Sequence, residues 1–284
     1  MEGINSLNYL MELDEVFVKN GWKNKDNYES TFNSLAKFQD EILINKDEYD
    51  LFIELLKNFN WIDINNYYSI YFKLMRELIS NLGIKNKNLF VFPIIKKKHE
   101  FNVKSGSFVI YLLKSILDKI DTDNNYKFED INNYESLRKT KIKPSDVIIL
   151  VDDFIGSGET FLECIDEIKK VNNSLLGNIK VLTLAVKKDT LDTVLKSYNV
   201  YYELEIMKGI TDYNSIVNAP IKKDLMRAIE KRIFNIGYNQ FSLGFNESES
   251  LISLARTPDN TFPIFWRKYK KKININPPFS RNEK

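Results

Sequence analysis

Cysteine and histidine are nearly absent, each occurring once in 284 residues, as Cys164 and His99. A single thiol excludes any disulfide within the chain, which agrees with a reducing compartment. A single imidazole excludes a multi-histidine metal centre, and a histidine relay would have to run through His99 alone. No apolar run approaches the roughly 20 residues that span a bilayer. The first residues also lack the basic-then-apolar order of a secretory leader. The expectation is a cytoplasmic protein without membrane contact. Excess charge is missing too: 41 Lys and Arg against 39 Asp and Glu leave a net charge of +2. That is too mild to imply direct nucleic-acid binding. Hydrophobic residues, by contrast, make up 43% of the chain, enough for a sizeable core in one decorated domain or two small ones.

The most informative stretch runs from Val147 to Thr160. Val147-Ile148-Ile149-Leu150-Val151 is too short for a helix and too apolar for a half-exposed strand, so it reads as a central parallel strand covered on both faces. Asp152 and Asp153 follow where that strand should end. Gly156-Ser157-Gly158-Glu159-Thr160 comes next, and Phe161, Ile165 and Ile168 continue at helical spacing. A strand, a glycine turn and a helix start gather free N–H groups and a positive dipole end at one point, an arrangement suited to phosphate. A Walker loop would need a lysine that is not there, and a Rossmann fingerprint a third glycine. Paired carboxylates accept well from vicinal hydroxyls, and their separation from the nest matches a ribose 5-phosphate. The plainer reading is that the two acids end the sheet and the glycines make an ordinary βα turn.

This stretch resembles the phosphoribosyl-pyrophosphate (PRPP) motif of type I phosphoribosyltransferases: an aliphatic strand, two acids, two variable residues, a small residue, Thr or Ser, Gly, any residue, then Thr or Ser. The resemblance implies an α/β, Rossmann-like phosphoribosyltransferase fold with a central, mainly parallel sheet. It implies that Asp152 and Asp153 bind the ribose and serve catalysis. By the same carry-over, Gly156, Ser157, Gly158, Glu159 and Thr160 would cradle the 5′-phosphate and Mg²⁺ would accompany the ligand, with no metal-binding residue assigned. Purine-type members often carry a carboxylate where this chain has Gly156, so the acceptor stays open.

Residues 1–82 read as a helical N-terminal extension. Apolar stripes recur through Phe32, Leu35, Phe38 and Ile42, through Phe52, Leu55, Leu56 and Phe59, and through Tyr67, Tyr71, Leu74 and Leu78. They suit a cap packed on the sheet or a docking surface for a partner protein. Leu89 to Ile95 reads as the first core strand, followed by Lys96-Lys97-Lys98-His99 and by Lys104-Ser105-Gly106 at a helix start. In the family that loop meets the pyrophosphate, and Lys104, Ser105 and Gly106 are the preferred candidates; the bland alternative is a solvated loop, with His99 on its surface. Residues 121–146 read as an irregular connector with room for a short strand. Ile179 to Val186, a helix over 190–198 capped by Asp189, and Val200 to Ile206 complete a β-α-β-α-β alternation. Lys208, Gly209, Thr211 and Asp212 fall on the side where such sheets bind ligands. The helix over 221–235 alternates basic with apolar residues and reads as amphipathic and structural.

Thr257-Pro258-Asp259-Asn260-Thr261, followed by Pro263, Ile264 and Trp266, carries a second resemblance, to the phosphoribosyltransferase-like proteins of bacterial conflict systems, including retron-associated antiphage loci. It implies a phosphoribosyltransferase-like domain over 83–267 and a basic tail over 268–284. It also implies a PRPP or nucleotide ligand and a defence-system partner, either a protein or a ribonucleoprotein. Trp266 suits stacking on a base or a place in the core. The basic residues Arg267, Lys268, Lys270, Lys271 and Lys272 suit a solvated tail or phosphate contacts. Three functions are compatible with these features: an antiphage effector with glycosyltransferase chemistry, a non-catalytic sensor of PRPP or nucleotide that regulates a partner, or a housekeeping salvage transferase.

Overall fold

In the computed structural model, Val147–Ile155 (β4) lies at the centre of a five-stranded sheet, and Val147 to Val151 are all buried. The described residues are 6–82, 87–102, 104–120, 126–143, 145–171, 173–234, 239–270 and 272–281. The chain divides into two compact units, one formed by residues 65–206 and the other by 1–64 together with 207–284. These units cross the expected boundaries at 82 and 267: the fourth N-terminal helix folds with the sheet, whereas the first three fold with the C-terminal segment.

The sheet unit comprises α4 (Ile64–Leu82, from residue 65), β2 (Lys87–Pro93), α5 (Ser105–Ile120), β3 (Tyr126–Asp130), α6 (Tyr134–Lys139), β4, α7 (Glu159–Val171), β5 (Ile179–Lys187), α8 (Lys188–Asp192) and β6 (Asn199–Ile206). Its strands are all parallel, in the order β3-β2-β4-β5-β6. Phe90, Phe92, Ile148, Leu150 and Val181 point to one face, where they pack with Phe161, Cys164, Ile165 and Ile168 of α7. Leu89, Val91, Ile149, Val151 and Leu182 alternate to the other face and are equally buried. A sheet covered on both faces requires the near-continuous apolar run seen in β4. Strand order reverses between β2 and β4, and open α/β sheets hold ligands beyond the carboxyl ends of strands at such a point.

Two expectations change here. Besides the short strand β3, a half-exposed edge, residues 121–146 hold a helix, α6, that the connector reading lacks. The helix over 190–198 shortens to α8, with Asp189 in its first turn and Lys187 at the cap position. Residues 121–125 and 144, and Lys271, lie outside the described residues.

The second unit is built from α1 (Ser6–Lys19), α2 (Tyr28–Ile42), α3 (Lys46–Lys57), β1 (Asn60–Trp61), α9 (Asn218–Ile233) and β7 (Ile252–Ser253), with β1 and β7 paired in parallel. Phe38, Phe52, Phe59, Met226, Phe265 and Tyr269 belong to one buried cluster. The cap of α3 is Asn45, whose side chain accepts from Glu48 N–H, while Asp47 is a first-turn acid. The basic face of α9 is spent on ion pairs: Lys222 with Glu54, Lys223 with Glu249, Arg227 with Glu247 and Arg232 with Glu48. The expected tail is not wholly solvated, since Tyr269, Ile275 and Phe279 are buried. No helix among the described residues is long and apolar enough to cross a membrane.

Candidate functional site

β4 carries its apolar run out to the sheet edge and ends in Asp152 and Asp153, half-buried and buried respectively. Neither carboxyl is left to solvent. Ser105, the first residue of α5, donates from its hydroxyl to Asp152 Oδ1 at 2.5 Å, and the Asp153 N–H donates to the same oxygen at 2.9 Å. From α4, the Tyr67 hydroxyl donates to Asp153 Oδ2 at 3.1 Å, and the Tyr71 hydroxyl to the Asp152 carbonyl at 2.9 Å. Burial, reinforced by the neighbouring Asp153 carboxylate, pushes Asp152 well above the usual carboxylate range, against the pull of Ser105. Burial also raises Asp153, against the hydroxyls of Ser105 and Tyr67. Two like charges this close favour retention of a proton by the pair.

The loop beyond β4 has the geometry of an anion cradle. Gly158 has φ +78°, and a Cβ there would lie 3.0 Å from both Thr190 Cγ2 and Val194 Cγ1. Both the left-handed backbone and the lack of space demand glycine. Thr190 also donates to the Gly156 carbonyl at 2.5 Å, which pins the loop from α8. Helix α7 starts at Glu159, and the N–H groups of a helix's first turn have no partner within it. Ser157 is exposed and Thr160 half-exposed. Glu159 is exposed, and its carboxylate pairs with Lys96 from the loop after β2, which holds it below the usual range.

The other sequence candidates separate. Gly106 is a packing residue: a Cβ would sit 2.9 Å from both Pro93 Cβ and the Val151 carbonyl oxygen, so it lets α5 approach the sheet. Ser105 is committed to Asp152, and Lys104 is exposed. Lys98, also exposed, and Lys104 help to keep the His99 pKa low, after the effect of burial. Cys164 is buried, which raises its thiol to about 11. Among the described residues no group of three or more His, Cys, Asp or Glu could hold a metal ion.

Trp266 belongs to the other unit and is 1% exposed; its indole N–H donates to the Thr261 carbonyl at 2.8 Å. The Arg281 guanidinium lies 4.1 Å from the ring centroid. This overturns the base-stacking candidate, because a buried indole whose face is already covered offers no platform. The loop after β6 is likewise tied down: buried Glu249 accepts from the N–H groups of Ile210 and Thr211.

Tyr67, Tyr71 and Thr190 were not singled out by sequence as site residues, and Lys96 stood only within the lysine run considered for the pyrophosphate. The two tyrosines lie on an apolar stripe, and their aromatic type at a buried position was the one available sign. Lys187 was missed as well. It is 2% exposed at the carboxyl end of β5, with Asp189 Oδ2 3.6 Å away.

A parallel sheet whose central strand delivers paired acids into a glycine turn and a helix start defines a Rossmann-like, phosphoribosyltransferase-type protein. The chain belongs to the PRTase-CE family, whose model matches residues 34–281. No match was found among curated proteins. Among solved structures, the HGPRT-ase of Leishmania tarentolae in complex with GMP is 14% identical, covering 52% of this chain and 81% of its own, with TM-score 0.35. A hypoxanthine-guanine phosphoribosyltransferase of Bacillus anthracis is 18% identical, with coverages of 51% and 79% and TM-score 0.30. The xanthine-guanine-hypoxanthine phosphoribosyltransferase of Helicobacter pylori is 11% identical, with coverages of 54% and 93% and TM-score 0.31.

Proposed function

We propose that this protein binds the ribose 5-phosphate part of PRPP or of a nucleotide at the carboxyl end of β4, and that it serves as an effector or regulator in bacterial antiphage defence. The observation that carries the binding reading is the juxtaposition of Asp152 and Asp153 with the Gly158 cradle beside the point where strand order reverses. The defence role rests on the resemblance of Thr257 to Trp266 to the phosphoribosyltransferase-like proteins of bacterial conflict systems. In this reading the two acids accept from the ribose hydroxyls, the N–H groups at the start of α7 receive the 5′-phosphate, and exposed Lys98 and Lys104 face the diphosphate.

Mg²⁺ is usually held by one or two carboxylates together with ligand phosphates. Asp152 and Asp153 suit an ion brought in with the ligand. When bound, the ion would neutralise a departing diphosphate. The chain's own residues would hold the sugar, orient C1 and keep carboxylate charge near the developing positive charge.

A second reading, a sensor that binds without turnover, is favoured by Gly156, which has no side chain to assist an acceptor. Calorimetry with PRPP and nucleotides beside a pyrophosphate-release assay separates the two, since binding without release supports the sensor. The double variant Asp152→Asn, Asp153→Asn should fold yet lose ligand binding and phage protection. Wild-type binding by that variant would remove the site from consideration.

A further inference from the structure

Glu159 opens α7, in the turn whose N–H groups would receive a phosphate, its own N–H now donating to Ser157 Oγ at 3.5 Å, and Glu163 stands one turn along the same helix. Two carboxylates at this position oppose any incoming anion. Both are met by one cation. Lys96 Nζ pairs with Glu159 Oε1 and lies 2.7 Å from Glu163 Oε1. The lysine side chain is 18% exposed, against 50% and 46% for the two glutamates. It comes from the loop after β2, the strand beside β4, so the clamp joins the two loops that flank the point of strand-order reversal. Its neighbours in the lysine run are placed otherwise: Lys97 pairs with Glu100 and lies 5.3 Å from the Tyr134 ring centroid, and Lys98 is exposed.

On the reading of this cradle as a ribose-phosphate site, we propose that Lys96 is a positioning residue: it neutralises Glu159 and Glu163 so that the start of α7 accepts a doubly charged phosphate, and it does not itself meet the diphosphate. Removing the lysine leaves two carboxylates without their counter-ion, and these repel the ligand. The effect should act on the 5′-phosphate and be blind to whatever is attached at C1.

The test is calorimetry at low salt with ribose 5-phosphate and with Mg²⁺–PRPP, on the wild type, on Lys96→Met, and on Lys96→Met combined with Glu159→Gln and Glu163→Gln. Lys96→Met should weaken both ligands by the same factor, on the order of tenfold, and the loss should shrink as salt screens the charges. The triple variant should recover most of the affinity for both. A loss confined to PRPP would overturn the proposal, because it would put Lys96 on the diphosphate. Unchanged binding by Lys96→Met, or no recovery in the triple variant, would overturn it equally. If Lys96→Met does not fold, the Glu159→Gln, Glu163→Gln variant decides, since it should bind ribose 5-phosphate at least as tightly as the wild type and weaker binding refutes the proposal. Wild-type protein that binds neither ligand would defeat the reading of the cradle itself, whereas each other adverse outcome defeats the role of Lys96 alone.

Discussion

Replacing Asp152 by asparagine should stabilise the protein while it disables the site. Burial, together with the adjacent Asp153, raises the Asp152 pKa in the folded state above its unfolded value, which is about 3.9 for an ordinary aspartate. Between those two values the native state holds a proton that the unfolded chain has released, so stability falls as pH rises through the folded pKa and stays reduced above it. Each unit of elevation costs about 1.4 kcal/mol at neutral pH. Asparagine removes the charge and keeps an oxygen that can accept from Ser105 Oγ and from Asp153 N–H, now at 2.5 and 2.9 Å. A gain of roughly 1–3 kcal/mol at pH 7.5 is expected, at about 2–4 °C per kcal/mol for a protein of this size. Urea and thermal melts from pH 4 to pH 8, alongside PRPP titration, provide the assay. The gain should fade toward pH 4, where the native Asp152 carboxyl keeps its proton and the unfolded one is only about half ionised. Destabilisation at pH 7.5, or a gain that ignores pH, would refute a strained acid pair.

Two further changes probe the cradle and the second unit. Gly158→Ala forces a side chain into a φ of +78° and against Thr190 and Val194, so stability should drop by about 1–2 kcal/mol. Ligand affinity should fall by more than stability because Thr190 also holds the Gly156 carbonyl; calorimetry that returned wild-type affinity would speak against the cradle. Trp266→Ala should cost about 3–5 kcal/mol, as expected for deleting a large buried aromatic. A loss below about 1 kcal/mol in urea melts would contradict its placement in the core.

The central strand and its glycine turn were legible because local chemistry dictates them. A run such as Val147 to Val151 has no stable place except a doubly covered strand, and Gly158 sits where the backbone needs a left-handed turn. The edge strand β3 was legible only as a short strand without bounds, since Tyr126 to Asp130 alternates over so short a span, and the six-residue helix α6 was not legible at all. The Thr257 to Trp266 motif marked its residues as special without saying which way they face, and tertiary packing turned the indole inward. Ser105 was visible as part of a helix start, but its bond to Asp152 depends on Gly106 bringing α5 against β2 and β4.

By itself the amino-acid order pointed to the family through two resemblances, at Val147 to Thr160 and at Thr257 to Trp266, and to the parallel α/β core and the acids ending β4 through local pattern. Tertiary structure alone decided that Tyr67 and Tyr71 hold the acid pair, that Lys96 is spent on Glu159 and Glu163, and that the first three helices fold with the last segment of the chain. Periodicity reports which face of a helix is buried, because that is a property of neighbours along the chain. It cannot report which hydroxyl or ammonium meets which carboxylate, because those partners lie some 60 to 90 positions apart and are chosen only when strands and helices pack.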